Sequence, residues 1–378
     1  MLLIFKKIIF MTEFIPLVDI KKNYLSIKPE IDSAIQNVID NTSFILGSEV
    51  EKFEKNFSFF LNSKYCAGVS SGTSAIELAL KACSIGNGDE VITTPHTWVS
   101  TAEAISNVNA TPIFVDIDKK SFNIDPKIIE EKITKRTKAI VPVHLYGNPA
   151  DMIKILKIAK KYKLKVIEDC AQAHGAKIGK KFCGTFGDFG CFSFYPGKVL
   201  GAFGDAGGVV SNNKTLINKI KQLRDHGRGK TKNQYTCLGT NDRLDGIQAA
   251  VLNVKLKYLK KWLKSRKQVA LIYDKNIKNS VIKPTTSPNN THAYHLYVIR
   301  VKNRSKVIKE LKKNKIDCRI HYPIPIHKQK IYKETNKNFK FVNTDKIVNE
   351  IISLPIFPEL NSKQVTLISE IINKVADD

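Results

Sequence analysis

Short apolar runs alternate with helix-like segments through the middle of the chain, from about Val91 to Val210. Four of these runs are rich in Val and Ile and are typical of buried strands: "EVITT", "TPIFVDI", "AIVPVHL" and "KVIEDC". The segments between them, "STAEAISNV", "DPKIIEEKI" and "DMIKILKIAKKYK", have the pattern of helices. Strands that alternate with helices form crossover units, so we predict a mostly parallel sheet covered on both faces. In such sheets ligands bind outside the carboxyl ends of the strands.

Further helices are predicted on both sides of this region. Upstream, "PEIDSAIQNVI" and "SEVEKFEKNFSFFL" are amphipathic, and "CAGVSSGTSAIELALKAC" gives a strand, a turn and a helix. After Gly239 a long helical region is expected to bridge to a smaller C-terminal domain. There "AYHLYVIRV" predicts a strand, "SKVIKELKKNKI" a helix and "RIHYPIPIHKQ" a loop interrupted by proline. We therefore assign residues 11–245 to a large domain, and 246–378 to the bridging helix and a small domain.

Residues 1–10 are predicted to be an N-terminal extension, with Met11 as an alternative start. The apolar run at this end is broken by Lys6 and Lys7, and no small-residue cleavage site follows, which disfavours a signal peptide. A membrane-associating arm is a less favoured alternative. No other segment has the length or apolarity to span a membrane.

The composition is that of a globular protein, with 43% hydrophobic and 25% charged residues. Charge is the unusual property, because 61 Lys and Arg residues against 35 Asp and Glu residues give +26. A field of this sign attracts polyanions, so nucleic acid has to be considered. The excess consists of lysines scattered over predicted helix surfaces, however, and no motif that reads nucleic acid accompanies it. We expect no specific nucleic-acid partner; a milder function of the charge is to attract a small anionic ligand.

The seven cysteines include no CxxC pair, and their number is odd. This pattern is typical of reduced thiols in the cytoplasm and disfavours both a disulfide framework and a zinc site. We predict a cytoplasmic protein without a metal ion, in which most of the thiols are buried and unreactive.

The segment "CFSFYPGKVLGAFGDAGGVV" gives the sharpest chemical signal. Lys198 follows an apolar strand in a turn that is rich in glycine and has aromatic neighbours in the sequence. A lysine held in dry, aromatic surroundings loses its proton more readily and becomes an amine that forms imines. Ser193 in the same segment offers a hydroxyl group to a phosphate. The alternative is a solvated turn lysine, the default in so lysine-rich a chain.

A second segment, "VIEDCAQAHGA", ends a predicted buried strand with Glu168 and Asp169. A carboxylate at this point can pair with the protonated nitrogen of a pyridine ring and keep that ring an electron acceptor. Gln172 can donate to a phenolic oxygen of the same ring. The alternative is an acidic strand end that caps the next helix, and this segment alone does not decide between the two.

Three other segments fit a ligand that is both aromatic and phosphorylated. Gly72 and Thr73 lie where a strand turns into a helix, and free N–H groups with the helix dipole suit a phosphate there; an ordinary helix cap is the alternative. Trp98 follows a strand and can stack on a ring, although an isolated Trp is more often a core residue. Asn241 and Arg243 suit phosphate or pyrophosphate, or else a helix cap and a surface arginine.

Together and in this order, the segments resemble the DegT/StrS family of sugar aminotransferases, a branch of the fold-type I pyridoxal phosphate enzymes. The resemblance covers nearly all residues after Met11 and includes "FILGSEVEKFE", "GNGDEVIT", "PVHLYGNPADM", "FSFYPGK" and "GTNDRLDGIQAA". It implies an α/β fold, with a mostly parallel seven-stranded sheet flanked by helices in the large domain and a smaller C-terminal α/β domain. It also implies pyridoxal 5'-phosphate (PLP), with its aminated form PMP, as the cofactor.

The resemblance also assigns roles to residues. Lys198 is similar to the Schiff-base lysine, Asp169 to the partner of the pyridine nitrogen, and Gln172 to the partner of the ring oxygen. The residues implied to bind the phosphate or stack on the ring are Gly72, Thr73, Ser193 and Trp98, with Asn241 reaching the phosphate from the neighbouring subunit of a homodimer that shares its active sites. The residues implied to approach a sugar nucleotide are Arg243, His321 and Tyr322.

The implied reaction moves an amino group from L-glutamate to a nucleotide-linked keto sugar, with Lys198 and Asp169 as catalytic residues. The segments are most similar to those of enzymes that act at C3 of dTDP-3-oxo-6-deoxyhexoses, for lipopolysaccharide O-antigen or another surface polysaccharide. UDP-linked 3-oxo sugars and 4-keto sugars stay open as substrates. A PLP-dependent sugar dehydratase is less favoured, because those family members have histidine in place of Lys198. A basic nucleic-acid-binding protein is the remaining alternative.

Overall fold

A computed structural model describes residues 13–231 and 233–376 of the chain, so the extension predicted at residues 1–10 lies outside the described residues. The strands are β1 (Tyr65–Val69), β2 (Glu90–Thr93), β3 (Thr111–Phe114), β4 (Thr137–Ile140), β5 (Lys165–Asp169), β6 (Lys177–Ile178), β7 (Lys181–Phe182), β8 (Phe189–Ser193), β9 (Gly207–Ser211), β10 (Asn290–Thr291), β11 (Tyr297–Arg300) and β12 (Ile351–Leu354). The α-helices are α1 (Ile20–Ser26), α2 (Lys28–Asp40), α3 (Ser48–Leu61), α4 (Gly72–Ala82), α5 (Ser100–Asn107), α6 (Met152–Tyr162), α7 (Lys214–Leu223), α8 (Gly246–Asn276), α9 (Arg304–Lys313), α10 (Lys330–Asn336), α11 (Val342–Ile347) and α12 (Ser362–Val375).

A seven-stranded sheet forms the centre of the protein, in the order β1-β9-β8-β5-β4-β2-β3. From β8 to β3 all neighbours pair in parallel, and β9 runs antiparallel between β1 and β8. The four runs of Val and Ile named above are the strands β2, β3, β4 and β5 of this sheet. The prediction of a mostly parallel sheet of seven strands is therefore confirmed.

Helices cover both faces of the sheet, as the apolar pattern predicts. Val209 of β9 packs in a cluster with α4, α5 and α7, whereas its neighbour Val210 packs in a second cluster with α3 and α8. A third cluster joins α6 to β2, β4 and β5. Successive residues of a strand point to opposite faces, so a strand buried on both sides shows a continuous apolar run rather than alternation.

One predicted helix is wrong. The segment "DPKIIEEKI" forms two 3-10 turns, at Pro126–Ile128 and Glu130–Lys132, instead of an α-helix. Ile129 between the turns is fully buried, and Ile133 already has an extended backbone. The chain must bury Ile129 and reach β4 within a few residues. Two short 3-10 turns allow this course of the backbone, whereas a regular α-helix does not.

The C-terminal part of the chain has its own hydrophobic cluster. The antiparallel pair β11 and β12 packs there with α9, α12 and the end of α8, and Ile15 from the N-terminal segment joins them. Because α8 contributes Leu252 to the core under the large sheet and Tyr273 to this cluster, it bridges the two parts. The domain boundary at residue 245 stays a prediction. Within the described ranges, none of the helices combines the length and the apolarity that a bilayer crossing needs.

Candidate active site

The candidate site lies at the carboxyl ends of β5 and β8, which are adjacent and parallel. β5 ends at Asp169, and the chain leaves β8 at Ser193 and returns as β9 from Gly207. Lys198 lies in this connection, where its backbone N–H donates to the carbonyl of Tyr195 at 2.9 Å and closes a turn. The carboxylate of Asp169 acts electrostatically on the amine of Lys198, so the two strongest sequence signals meet at one edge of the sheet.

Asp169 has a buried, well-defined side-chain position. Its carboxylate accepts a hydrogen bond from the hydroxyl of Thr101 at 2.7 Å and another from the backbone N–H of Ala171 at 3.1 Å. Thr101 belongs to the first turns of α5, so a helix that follows β2 fixes a carboxylate at the end of β5. A carboxylate accepts about four hydrogen bonds, so capacity for a cationic ligand group remains.

Gln172 is buried, and its amide group has a fixed orientation. Its Oε1 accepts from the backbone N–H of Tyr146 at 2.6 Å, and its Nε2 donates to the hydroxyl of Tyr322 at 2.9 Å. The carbonyl oxygen must stay at the Tyr146 N–H because only that atom can accept, so Nε2 stays on the side of Tyr322. One N–H of Nε2 is left for a further acceptor.

The surroundings of Lys198 change its acid–base behaviour. Burial lowers the pKa of Lys198 from 10.5 to about 8, and the Asp169 carboxylate opposes that shift. Burial also lowers the pKa of His174 to about 3 and the pKa of His295 well below its usual value, so both nearby rings are neutral. The amine is thus partly deprotonated near neutral pH, as an imine-forming lysine requires. The side chain is only partly exposed, which does not fit a solvated turn lysine.

The turn between β1 and α4 offers N–H groups at the same edge of the sheet. Ser71 caps α4, because its Oγ accepts from the N–H of Ser74 at 3.0 Å. The first N–H groups of a helix have no acceptor within the helix, so those of Gly72 and Thr73 stay available for an anion. A side-chain carbon placed on Gly72 would come within 2.6 Å of Cβ of Ser193, so the two segments are in close contact. The cap and the anion site are therefore compatible.

The segment before α8 runs beside this turn. The backbone N–H of Ser70 donates to the carbonyl of Asp242 at 3.0 Å, and the hydroxyl of Ser70 donates to the Asp242 carboxylate at 2.8 Å. Arg243 is half-buried and donates to Asp225 at 2.8 Å, so it is not a free surface arginine. Asn241 is exposed to solvent. These two residues thus border the turn, but no contact joins them to Lys198.

Trp98, His321 and Tyr322 form the outer side of the site. The ring centroids of Trp98 and Tyr322 are 5.5 Å apart, and the Trp98 side chain is 56% exposed, so Trp98 is not a core residue. Nδ1 of His321 lies 2.8 Å from the hydroxyl of Ser353, and burial lowers the pKa of His321 to about 4, which leaves the ring neutral. These side chains border the space over Asp169 and Gln172 without closing it.

Glu168 points away from Asp169 into the core. Its carboxylate accepts from Nε2 of His144 at 3.0 Å and from three backbone N–H groups of residues 184–187 at 2.7–2.8 Å. The ligand atoms of His144, Glu168 and Cys170 lie within 4.8 Å of one another, close enough for a metal ion. Both Glu168 oxygens already accept two hydrogen bonds each, however. We therefore assign this group a structural function.

Sequence reasoning missed three residues that hold the site together: Thr101, Tyr146 and Asp242. Thr101 and Tyr146 come in the segments after β2 and β4, and a position after a parallel strand is a usable signal, whereas Asp242 meets the end of β1 only in the folded chain. Tyr146 lies in the segment "PVHLYGNPADM", but nothing in the sequence shows that its N–H meets Gln172. The predicted residues Lys198, Asp169, Gln172, Trp98, His321 and Tyr322 come together, and Gly72 and Ser193 adjoin each other.

A parallel-rich sheet with a partly deprotonated lysine and a buried carboxylate at its carboxyl edge defines an enzyme of the fold-type I aminotransferase class. The sequence model of the DegT/DnrJ/EryC1/StrS aminotransferase family matches residues 25–373, and the chain belongs to this family.

Comparison with known proteins agrees with this assignment. The dTDP-3-amino-3,6-dideoxy-alpha-D-galactopyranose transaminase of Aneurinibacillus thermoaerophilus is 44% identical over 361 residues, 95% of this chain and 99% of the relative. The UDP-N-acetyl-3-dehydro-alpha-D-glucosamine 3-aminotransferase of Acidithiobacillus ferrooxidans is 40% identical, over 95% of this chain and 97% of the relative. The crystal structure of S. venezuelae DesV in complex with a ketimine intermediate is similar with a TM-score of 0.94 at 36% identity, over 97% of this chain and 100% of that one.

Proposed function

We propose that this enzyme transfers the amino group of L-glutamate to C3 of a dTDP-3-oxo-6-deoxyhexose. The observation that carries the proposal is the 44% identity, over nearly the full length of both chains, to a transaminase of a dTDP-3-amino-3,6-dideoxyhexose. Both relatives described above are transaminases of nucleotide-linked sugars, which supports that broader class of substrate. The sugar and its nucleotide are the finer part of the proposal.

The site residues fit the cofactor of this family. Pyridoxal phosphate supplies an electron-accepting pyridine ring and an aldehyde carbon that condenses with amines. The remaining capacity of the Asp169 carboxylate suits a protonated pyridine nitrogen. The second N–H of Gln172 suits the phenolic oxygen, and the exposed face of Trp98 suits the ring itself.

The phosphate group fits the turn at the start of α4. The N–H groups of Gly72 and Thr73, the hydroxyl of Ser193 and the helix dipole would together hold a dianion. Gly72 is required there because any side chain would fill the contact with Ser193. The exposed Asn241 would complete this pocket from the neighbouring subunit.

Lys198 would attach the cofactor and then move protons. With a pKa of about 8, the amine populates both protonation states near neutral pH, so it can accept a proton at Nζ and return it. The Asp169 carboxylate would lie opposite the positive pyridine nitrogen and stabilise that charge. Lys198 would therefore transfer protons and Asp169 would stabilise the charge of the ring, because their surroundings differ.

Arg243, His321 and Tyr322 are proposed to bind the sugar nucleotide. A guanidinium group recognises the oxygens of a pyrophosphate in a bidentate manner. The hydroxyl of Tyr322 and the neutral ring of His321 offer hydrogen bonds to an uncharged sugar. The overall charge of +26 favours the approach of such an anion.

A homodimer with shared active sites and a cytoplasmic location complete the proposal. Support for the dimer comes from large exposed side chains, of which Tyr195 in the Lys198 turn is 58% exposed and Leu238, three residues before Asn241, is 95% exposed. Support for the cytoplasm comes from the cysteines, all of which are free thiols. The product would enter the synthesis of O-antigen or another surface polysaccharide.

The alternative substrate is a UDP-linked 3-oxo sugar, which the relative from Acidithiobacillus ferrooxidans favours. A 4-keto sugar is a further alternative. A sugar dehydratase is disfavoured because Lys198 occupies the position that is histidine in such family members. Binding to nucleic acid finds no support in the geometry of the site.

The test is a panel of substrates with purified enzyme, PLP and L-glutamate. Keto sugars linked to dTDP and to UDP, with the oxo group at C3 or C4, are compared by kcat/KM, and the product is identified by mass spectrometry. We expect the dTDP-3-oxo-6-deoxyhexose to be converted most efficiently. The Lys198→Ala variant is the control, and it should lose both the visible absorbance of the bound cofactor and turnover. Preference for a 4-keto sugar would refute the assignment to C3.

A further inference from the structure

The amide of Gln172 is anchored at both of its ends. Tyr146 fixes Oε1 through a backbone N–H at 2.6 Å, and the hydroxyl of Tyr322 accepts from Nε2 at 2.9 Å. Both anchors lie in a region from which solvent is largely excluded, since Gln172 and Tyr146 are buried. The direction of the second N–H of Nε2 is therefore set by the position of Tyr322.

Tyr322 lies between Gln172 and the open side of the site. Its ring contacts Trp98 at a centroid distance of 5.5 Å, and its hydroxyl oxygen already accepts from Gln172. Burial raises the pKa of Tyr322 far above its usual value, so the hydroxyl stays protonated. It therefore acts as a neutral hydrogen-bonding group and not as a proton donor in the reaction.

The backbone that carries Tyr322 is tied to the same residue that orients Gln172. The hydroxyl of Tyr146 donates to the carbonyl of His321. Nε2 of His96 lies 2.9 Å from that hydroxyl, and burial lowers the pKa of His96 to about 4. Because the Tyr146 proton is used for His321, the neutral ring of His96 donates to Tyr146. One tyrosine thus fixes both the amide and its partner.

We propose that Tyr322 is a positioning residue whose hydroxyl group holds the Gln172 amide so that the second N–H of Nε2 is directed at the phenolic oxygen of the cofactor. The inference rests on the proposed function, because it requires PLP in the site. It adds a role to Tyr322 beyond contact with the sugar nucleotide, since the residue then acts on the cofactor before any sugar binds.

The physical consequence appears in the protonation of the imine between cofactor and lysine. A hydrogen bond donated to the phenolic oxygen stabilises its anionic form. The phenolic oxygen and the imine nitrogen share one proton, so this hydrogen bond lowers the pKa at which that proton is lost. Removal of the Tyr322 hydroxyl leaves the amide held only at Oε1, so Nε2 is less precisely directed and that hydrogen bond weakens. The imine should then hold its proton to a higher pH.

The test is an absorbance titration of the PLP-loaded protein between pH 5 and 10 without substrate. We expect the titration of the imine in Tyr322→Phe to move upward by about half a unit or more, a threefold or greater rise in proton affinity. The matched control is Tyr332→Phe, which removes another buried hydroxyl with a single 2.9 Å hydrogen bond, to Ser106, outside the site. The control should titrate as the wild type does.

A second variant guards against misfolding of the first. Tyr146→Phe keeps the backbone N–H that fixes Gln172 and removes the hydroxyl that contacts the His321 carbonyl and His96, so it should produce a smaller shift in the same direction. If the imine of Tyr322→Phe titrates at the same pH as that of the wild type, or at lower pH, the role of Tyr322 is overturned and the proposed function is unaffected. An equal shift in Tyr332→Phe also overturns that role. A wild type without any visible band would overturn the proposed function as well.

Discussion

At the scale of single residues, the surroundings of Lys198 decide its chemistry. The chain has 61 Lys and Arg residues, and many of them lie exposed on the surface. Lys198 differs because burial in the turn after β8 removes the water that stabilises its ammonium form, and this lowers its pKa to about 8. The Asp169 carboxylate limits the shift, so the amine remains able to bind a proton again.

The protonation of Lys198 can be measured directly in the protein without cofactor. Lysines in water titrate near 10.4, whereas competitive labelling followed by mass spectrometry should find Lys198 half-reactive near pH 8. Asp169→Asn should move this midpoint to lower pH, because the carboxylate raises the pKa. A midpoint that coincides with that of surface lysines would contradict the assigned surroundings.

The same shift has a defined effect on stability. The unfolded chain keeps a proton on this lysine up to the ordinary lysine pKa, and the folded chain loses it above about pH 8. The unfolded state therefore binds more protons in this window, and the contribution of Lys198 to stability rises with pH from about 8 toward 10.5.

At the scale of elements, β5 separates two carboxylates that are adjacent in sequence. Successive residues of a strand point to opposite faces, so Asp169 faces the site and Glu168 faces the core. The contacts agree: Asp169 keeps capacity for a ligand, whereas Glu168 is saturated by His144 and by the backbone of residues 184–187. The sequence alone leaves open which of the two carboxylates faces a ligand, and these contacts indicate that it is Asp169.

Neutral replacements of the two carboxylates should therefore have different effects. Glu168→Gln leaves about two buried N–H groups without an acceptor, at about 1–3 kcal/mol each, so the free energy of unfolding should fall by about 2–6 kcal/mol. Urea unfolding measures this loss. Exposed Glu103→Gln is the control and should stay within about 0.5 kcal/mol of the wild type.

Asp169→Asn completes the comparison. It should unfold nearly as the wild type does and lose turnover, because its carboxylate serves the ligand more than the fold. Retention of full stability in Glu168→Gln would contradict the structural function given to that residue.

At the scale of the whole molecule, the proposed dimer determines whether the site is complete. Asn241 is exposed and makes no contact with Lys198 within its own subunit, whereas the resemblance to the DegT/StrS family implies a phosphate contact from a neighbouring one. The exposed side chains of Tyr195 and Leu238 offer apolar surface for such a contact.

A mixture of two inactive variants tests this arrangement. Lys198→Ala and Asn241→Ala are refolded together, so that half of the dimers contain one subunit of each kind. If Asn241 acts across the interface, each hybrid has one intact site, and about a quarter of the wild-type activity should return. If Asn241 acts within its own subunit, the mixture stays inactive. Separately refolded variants, mixed afterwards, are the control.

Most of the elements and the candidate site residues could be predicted from the sequence alone. Apolar periodicity identified β2 to β5 and most helices, because burial on both faces of a sheet imposes a local pattern. Lys198 and Asp169 were predicted as site residues because Asp169 ends an apolar strand and Lys198 follows one, the position where ligands bind in such sheets. Where a local pattern did not match the path of the chain, as in "DPKIIEEKI", the prediction of a helix was wrong.

Which residues act together follows from the folded chain and not from any single segment. Thr101 and Asp169 are 68 residues apart in sequence, and Gln172 and Tyr322 are 150 apart, yet both pairs share a hydrogen bond. No local pattern encodes such contacts, since they depend on the order of the strands and the packing of distant loops. The lowered pKa of Lys198 has the same origin, because segments remote in sequence remove the water around its amine.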